Sequence, residues 1–339
     1  MAQAKESRMP LLLTEADVKS ILTMPLALEL VETSFQRLAE GKATLQYRQR
    51  LHVPGKGVLN HMAAADLATG YMGLKIYSIS RSGARFVVML YEAESGDLVA
   101  LIEGDYLGQM RTGAASGVAT RLMARQDAQV AAIIGTGLQS RTQIEAIAAV
   151  RKLEGIRAFG RDPGRRETFA REMSARLGVP VTPASSVEQA VRGAGIVTTC
   201  TTSKVPVLEG RWIDPGTHLN AVGVNQAQKR ELDTDAVLRS DVIAADSREQ
   251  SKIESGDLIQ AFAGDGSRWV SVLEFADVVA GRTPGRTSPD QITLFKSNGV
   301  ATEDIVVAGR VYEIARERRI GKLVPMWEEQ ARAVAERGV

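Results

Sequence analysis

Apolar positions recur along this chain at two different periods. From Thr14 to Gly41 the spacing is helical. Thr14 stands as an N-cap with Asp17 three residues on, and after Pro25 the side chains of Leu28, Val31, Phe35 and Leu38 share one face. The period then shortens. Residues 58–64, 72–79, 85–92 and 98–103 form short β-branched or aromatic runs parted by glycine, and Glu94-Ser95-Gly96-Asp97 marks a hairpin turn between the last two. The first hundred residues therefore predict an α+β fold around an antiparallel sheet. A helix is expected from Arg111 to about Arg125, its small residues Gly113, Ala114, Ala115 and Ser116 allowing close approach to a neighbour.

Beyond Gln126 strands and helices alternate. Strands are predicted at 130–134, 156–159, 179–182, 196–200, 217–222, 242–245 and 292–295, with helices at 165–177, 187–191, 231–238, 272–280 and 303–318. Such alternation implies a parallel sheet with right-handed crossovers. The expected fold class is α/β, with a Rossmann-type parallel-sheet domain at 127–299. A separate α+β domain at 1–126 is joined by a C-terminal helix within 300–339.

One stretch carries candidate chemistry. Five apolar residues, Val130–Ile134, run into Gly135-Thr136-Gly137, after which Ile144, Ile147 and Ala148 return at helical spacing. In a strand–turn–helix context a G-x-G loop suits a dinucleotide. Gly135 permits the sharp turn, Gly137 lets the backbone approach a pyrophosphate, and the helix N-terminus faces the anion. Ser140 stands where the full fingerprint has a third glycine. An ordinary βα turn without nucleotide has the same local pattern.

Composition narrows the classes. A hydrophobic share of 44% with 24% charged residues is that of a soluble globular protein. The net charge of +2 gives no reason to propose nucleic acid or an anionic membrane as partner. One cysteine, Cys200, excludes an intrachain disulfide and a cysteine-based metal cluster, and suits a reducing cytosol. His52, His61 and His218 have no metal-ligand spacing, so no metal is expected. The N-terminal apolar run is too short for a signal peptide, and no stretch approaches the roughly 18 apolar residues of a membrane span. A cytoplasmic, cofactor-using protein is expected.

Several motifs then coincide: R-T-x-A-A-S before the nucleotide strand, I-I-G-T-G-x-Q, H-L-N-A-V-G followed by R-E-L-D, E-S-G-D, and T-L-F-K-S-N-G with E-D after it. Together, over residues 14–318, they resemble the ornithine cyclodeaminase/mu-crystallin family. The resemblance implies an NAD(P)-dependent homodimer whose N-terminal sheets join across the interface, with hydride chemistry at a carbon bearing nitrogen. The N-terminal domain would then bind substrate and dimerise. Arg50, in R-L-H-V-P, matches an arginine that binds the substrate carboxylate, with Arg48 the other candidate. Lys75 matches the active-site lysine, and burial on a strand would push its pKa down toward neutrality. Arg111 matches an arginine shared by cofactor phosphate and substrate, and a cation at a helix start also points to anion binding. The pyrophosphate loop is matched by Gly135, Thr136, Gly137, Leu138 and Gln139, with Thr112 beside Arg111. Thr201, Val222 and Ser297 match the nicotinamide side, and Asn298 is a substrate candidate.

Three departures matter. Gly160, followed by Arg161, replaces the acid expected to hold an adenosine ribose hydroxyl, which implies NADP (NADPH) in preference to NAD. Asp162 is the competing ribose acid. Asn225 replaces an aspartate of the cyclodeaminases, and Val87 a threonine that contacts cofactor. The expected activity is reduction of a cyclic ketimine or imino acid, or oxidation of an L-amino acid. Lys75 and Asn225 would be the catalytic residues. The alternatives are ornithine cyclodeamination and a non-catalytic, mu-crystallin-like NADPH-dependent ligand-binding protein.

Overall fold

The structure, a computed structural model, describes residues 9–327. The chain divides into two compact units, Met1–Arg111 with Val300–Val339, and Thr112–Gly299. The first division lies inside a helix and not near Gln126.

The first unit begins with β1 (Leu11–Leu13), α1 (Glu15–Ile21) and α2 (Met24–Ala39). Thr14 caps α1 through a capping box with Asp17. Five strands follow as an antiparallel meander: β2 (Ala43–Val53), β3 (Gly57–Asp66), β4 (Tyr71–Ser80), β5 (Gly83–Glu92) and β6 (Leu98–Glu103), with β1 parallel beside β6. The hairpin turn stands where expected, Gly96 taking a φ of 73° that glycine adopts without strain. Strand β2 has no counterpart in the sequence reading. Its run Gln46, Arg48, Gln49, Arg50 breaks apolar alternation, which an edge strand tolerates.

Helix α3 (Asp105–Met123) starts two turns ahead of the expected Arg111. The start signal comes from far away in the chain. The Glu15 carboxylate accepts from the backbone N–H of Asp105 at 2.7 Å and of Tyr106 at 3.0 Å, doing the work of an N-cap. Arg111 is thus within the helix, beyond the first turn where the helix dipole disfavours a cation.

The second unit alternates β7 (Val130–Ile134), α4 (Leu138–Val150), β8 (Gly155–Phe159), α5 (Pro163–Leu177), β9 (Val181–Pro183), α6 (Val187–Val191), β10 (Ile196–Thr199) and β11 (His218–Ala221). It continues with α7 (Thr234–Leu238), β12 (Val242–Ala245), α8 (Arg248–Glu254), α9 (Gly256–Ala261), β13 (Leu273–Glu274), α10 (Phe275–Val279) and β14 (Thr293–Lys296). All its strands pair in parallel, in the order β13-β12-β14-β11-β10-β7-β8-β9. This is the Rossmann-type sheet expected. The order reverses between β7 and β10, and in such sheets ligands bind at the strand carboxyl ends beside that reversal. Helices α8 and α9 were not foreseen; they meet at the E-S-G-D motif. The small residues of α3 bear out a close approach, since a Cβ on Gly113 would lie 2.9 Å from Thr142 Cβ of α4.

The chain returns to the first unit as α11 (Ala301–Arg318), which packs on α2 and on β2 to β5, and ends in β15 (Lys322–Leu323) beside β1. The part of the expected C-terminal helix at 328–339 lies outside the described residues. No described helix is long and apolar enough to cross a membrane.

Candidate active site and cofactor cleft

In the first unit the chemistry gathers on the face of the sheet under α11. Lys75, midway along β4, pairs in register with Met62 on β3 and Val88 on β5. It is 3% exposed, and its Nζ donates to Asp304 Oδ1 at 2.8 Å. Arg111 Nε donates to the same oxygen at 3.1 Å, and its Nη1 to Glu303 Oε2 at 2.7 Å. Asp304 and Glu303, in the first turn of α11, are fully buried. Arg48 is buried nearby with Nη2 at 3.6 Å from Met62 Sδ, and the Phe86 ring centroid lies 5.4 Å from Lys75 Nζ.

Electrostatics follow from this packing. Burial pushes the Lys75 ammonium down to about 8, and Arg111 and Arg48 push the same way, while Asp304 opposes them. Burial raises the Asp304 carboxyl, but Arg111 and Lys75 together hold it below its ordinary value. Lys75 is thereby able to gain and lose a proton near neutrality. Space over it is kept open by Gly108 of α3, where a Cβ would stand 3.1 Å from Nζ. A glycine inside a helix costs about 1 kcal/mol relative to alanine, so this one answers to its neighbour.

Arg50 pairs with Asn60, whose β4 partner is Tyr77, two residues from Lys75 on the same face. It is half-buried, whereas Arg48 is buried. Both carboxylate candidates thus share the Lys75 face. Val87 pairs with Ile76 and belongs to the opposite face. Asp304 and Glu303 were missed as site residues. The sequence shows only an acidic pair directly ahead of the apolar run Ile305-Val306-Val307-Ala308.

In the second unit a cleft of about 650 Å³ opens at the carboxyl ends of β7, β8 and β10. Gly135 has a φ of 115°, and a Cβ there would run into the Cys200 carbonyl oxygen. Gly137 stands as N-cap of α4 with open space where a Cβ would be, so an anion can come against the backbone. Leu138 is exposed and Gln139 half-buried at the helix start. The cleft thus fits a dinucleotide's pyrophosphate. Thr112 has its carbonyl tied to Gln143 Nε2 at 3.0 Å.

Across the cleft Gly160 lies against Thr136, whose Oγ1 would be 2.5 Å from any Cβ at 160. An acid does not fit at 160 while Thr136 keeps this rotamer. Arg161 is exposed on the cleft wall, with Arg165 also lining it. Asp162 is the N-cap of α5, its Oδ1 accepting from the Arg165 N–H at 2.8 Å.

Thr201, Val222 and Ser297 stand just past the ends of β10, β11 and β14, their backbone N–H groups bound to Glu231, Thr199 and Ala221. Asn225 is on the loop after β11. Asn298 has its amide nitrogen on Ser251 Oγ at 2.7 Å and Asp246 Oδ1 at 3.3 Å, an internal use. No cluster of possible metal ligands occurs among the described residues.

Comparison with known proteins agrees with this architecture. The sequence profile of the ornithine cyclodeaminase/mu-crystallin family matches residues 8–319. A solved Delta(1)-pyrroline-2-carboxylate reductase of Thermococcus litoralis, in complex with NADH and L-proline, is 35% identical with a TM-score of 0.89, covering 93% of this chain and 100% of that one. An archaeal alanine dehydrogenase dimer with bound NAD is 30% identical with a TM-score of 0.88, covering 94% and 99%. A Delta(1)-pyrroline-2-carboxylate reductase of Bacillus cereus is 34% identical over 262 residues, 75% of this chain and 80% of that protein. With the profile spanning nearly the whole length, a parallel sheet carrying the glycine turn and a separate sheet carrying the buried lysine, this chain belongs to the ornithine cyclodeaminase/mu-crystallin family.

Proposed function

We propose that the protein is a nicotinamide-dependent oxidoreductase acting on C–N bonds. It reduces a cyclic ketimine or imino acid, or in reverse oxidises an L-amino acid. The observation that carries this reading is the Lys75 ammonium, buried and fixed by Asp304 beside Arg111. The nicotinamide supplies or accepts a hydride. Arg111, with Arg48 or Arg50, holds the substrate carboxylate, for which guanidinium is suited by its paired donors. Lys75 gives a proton to the substrate nitrogen in the reductive direction and takes it back in the oxidative one. The first unit is assigned to substrate, and the second to the cofactor. A cytoplasmic location belongs to the same reading.

Asn225 weighs against ornithine cyclodeamination. That reaction needs proton transfers during ring closure and ammonia loss, and an amide has no accessible pKa for them. The test is a panel of cyclic imino acids with NADPH and of L-amino acids with NADP+, followed at the nicotinamide absorbance. Turnover of at least one imino acid is expected, and ornithine with catalytic cofactor should give no sustained proline. A protein that binds NADPH yet turns over nothing in the panel is a ligand carrier, and the proposal fails.

The preferred cofactor is NADPH. Position 160 carries no acid, Asp162 uses one carboxylate oxygen as a helix cap, and Arg161 and Arg165 offer cations to a 2′-phosphate. Arg161→Ala should weaken NADPH binding about fivefold to fiftyfold, as for a charge-assisted hydrogen bond of about 1.5–3 kcal/mol partly screened at the surface, and leave NADH unchanged. Higher kcat/KM with NADH in the parent protein contradicts the assignment.

The protein is also read as a homodimer. The face of the first sheet away from Lys75 is apolar, with Ala63, Ala65, Met72 and Leu74 lining a hollow of about 400 Å³ and Leu51, Leu59 and Val87 exposed beside it. An apolar sheet face of this kind calls for a partner surface. Light scattering at micromolar concentration should give twice the chain mass, and Leu74→Glu should reduce it toward the monomer value. A monomeric parent protein overturns this reading.

A further inference from the structure

Three charged side chains of the second unit, each from a different motif, meet in space. R-E-L-D contributes Glu231, E-S-G-D contributes Asp257, and T-L-F-K contributes Lys296, each fully buried. The Glu231 carboxylate accepts from Thr199 Oγ1 at 3.0 Å, from Thr201 N–H at 2.5 Å and from Gly223 N–H at 2.7 Å. One side chain thus ties the carboxyl ends of β10 and β11. Lys296, the last residue of β14, lies on the other side of β11. Its Nζ donates to the Val224 carbonyl at 2.6 Å and pairs with Asp257 Oδ2 at 3.0 Å. Asp257 Oδ1 accepts from the backbone N–H of Glu231 at 2.7 Å and of Leu232 at 2.9 Å, which closes the circuit.

The loop is drawn in tightly around these groups. A Cβ on Gly223 would be 2.5 Å from Glu231 Oε1, and one on Gly256 would be 2.7 Å from the Gln226 carbonyl oxygen. Burying three ionisable side chains costs desolvation that an apolar trio avoids, so such a set is better explained by positional specificity than by added stability. What it positions is identifiable: Thr201, Val222 and Ser297 at the strand ends, and Asn225, which follows the tethered Val224.

We infer that Glu231, Asp257 and Lys296 are positioning residues, a buried ionic clamp that holds the Asn225 loop and the ends of β10, β11 and β14 in register for hydride transfer. The inference rests on the oxidoreductase reading above. None of the three is hydrogen-bonded to Gly135, Thr136 or Gly137, and Glu231 reaches the cleft through Thr201, so the clamp is expected to act on where the nicotinamide end is held more than on the affinity for the dinucleotide.

The test uses Glu231→Gln, which keeps the size but turns an amide N–H₂ toward backbone donors, together with Lys296→Met and Lys296→Arg. NADPH affinity, titrated by its fluorescence, should stay within about threefold of the parent in Glu231→Gln. The emission enhancement of the bound nicotinamide should fall, and kcat should drop about tenfold to a hundredfold, in line with ångström-scale misplacement of reacting atoms. The primary isotope effect with 4-deuterated NADPH should rise as hydride transfer becomes limiting. Lys296→Arg should recover a larger part of the rate than Lys296→Met, and it serves alone if Glu231→Gln does not fold. Parent-like kcat, isotope effect and emission in a folded variant overturn the clamp. A fall in kcat matched in full by the unfolded fraction overturns it equally. A parent protein that does not bind NADPH overturns the cofactor reading itself, a separate outcome.

Discussion

Lys75→Ala is expected to slow turnover by about a hundredfold to ten-thousandfold, the range for losing a general acid–base, while NADPH affinity stays near that of the parent. The lysine is on β4 of the first unit and the glycine turn is in the second. Single-turnover rates and fluorescence titration of NADPH separate the two quantities. Because Nζ is paired with a buried carboxylate, the alanine variant also loses part of an ion pair, and breaking such pairs costs about 3–5 kcal/mol when one charge is left alone. Arg111 still contacts Asp304, so a smaller loss of stability is expected. Lys75→Met, closer in volume, controls for packing. Partial rescue of the alanine variant by small primary amines would identify the missing group as a proton donor. A rate within threefold of the parent would remove Lys75 from the chemistry.

The direction of the reaction should be separable by pH, with the changeover near 8. Reduction of an imine draws on the Lys75 ammonium, so kcat/KM for reduction should be level below about 8 and fall above it. Oxidation of an amino acid draws on the neutral amine and should rise through the same range. Asp304 favours the charged form, while burial, Arg111 and Arg48 disfavour it. Asp304→Asn removes that support, and the midpoint should move to lower pH. Each unit of such a shift takes away about tenfold of the ammonium form above the new midpoint. Stability moves the opposite way in the parent protein. Lys75 binds fewer protons folded than unfolded between about 8 and its ordinary 10.5, so its contribution becomes more favourable as pH rises through that window. An unmoved midpoint in Asp304→Asn would show that the titrating group is another one.

The glycine turn was legible because everything it needs is local. Five apolar residues, two glycines and a helical period lie within Val130–Val150, and the backbone geometry follows from them without help from distant residues. The alternation of strand and helix that predicts a parallel sheet is likewise a property of neighbouring positions. Lys75 was reached by resemblance of motif and not by its surroundings, since one lysine on a strand has no local mark of burial. The acidic pair Glu303 and Asp304 is visible in the sequence as a motif, but nothing within α11 says that Lys75, more than two hundred residues earlier, will meet it.

What remained hidden depends on groups brought together by folding. The start of α3 is set by a carboxylate from α1, so no capping residue at its own N-terminus announces it. Gly160 reads as a missing acid in sequence, whereas in space it is room taken by Thr136. The motifs that carry Glu231, Asp257 and Lys296 give no role for these side chains in sequence, and in space the three residues are bound to one another and to the Val224 carbonyl. Sequence by itself determined most of the order of elements, the class of sheet and the place of the glycine turn, because hydrophobic period and glycine act over a few residues. Only the tertiary structure decided which charges are buried together, and with that the proton affinity of Lys75, because desolvation and Coulomb energy depend on distance through space and not along the chain.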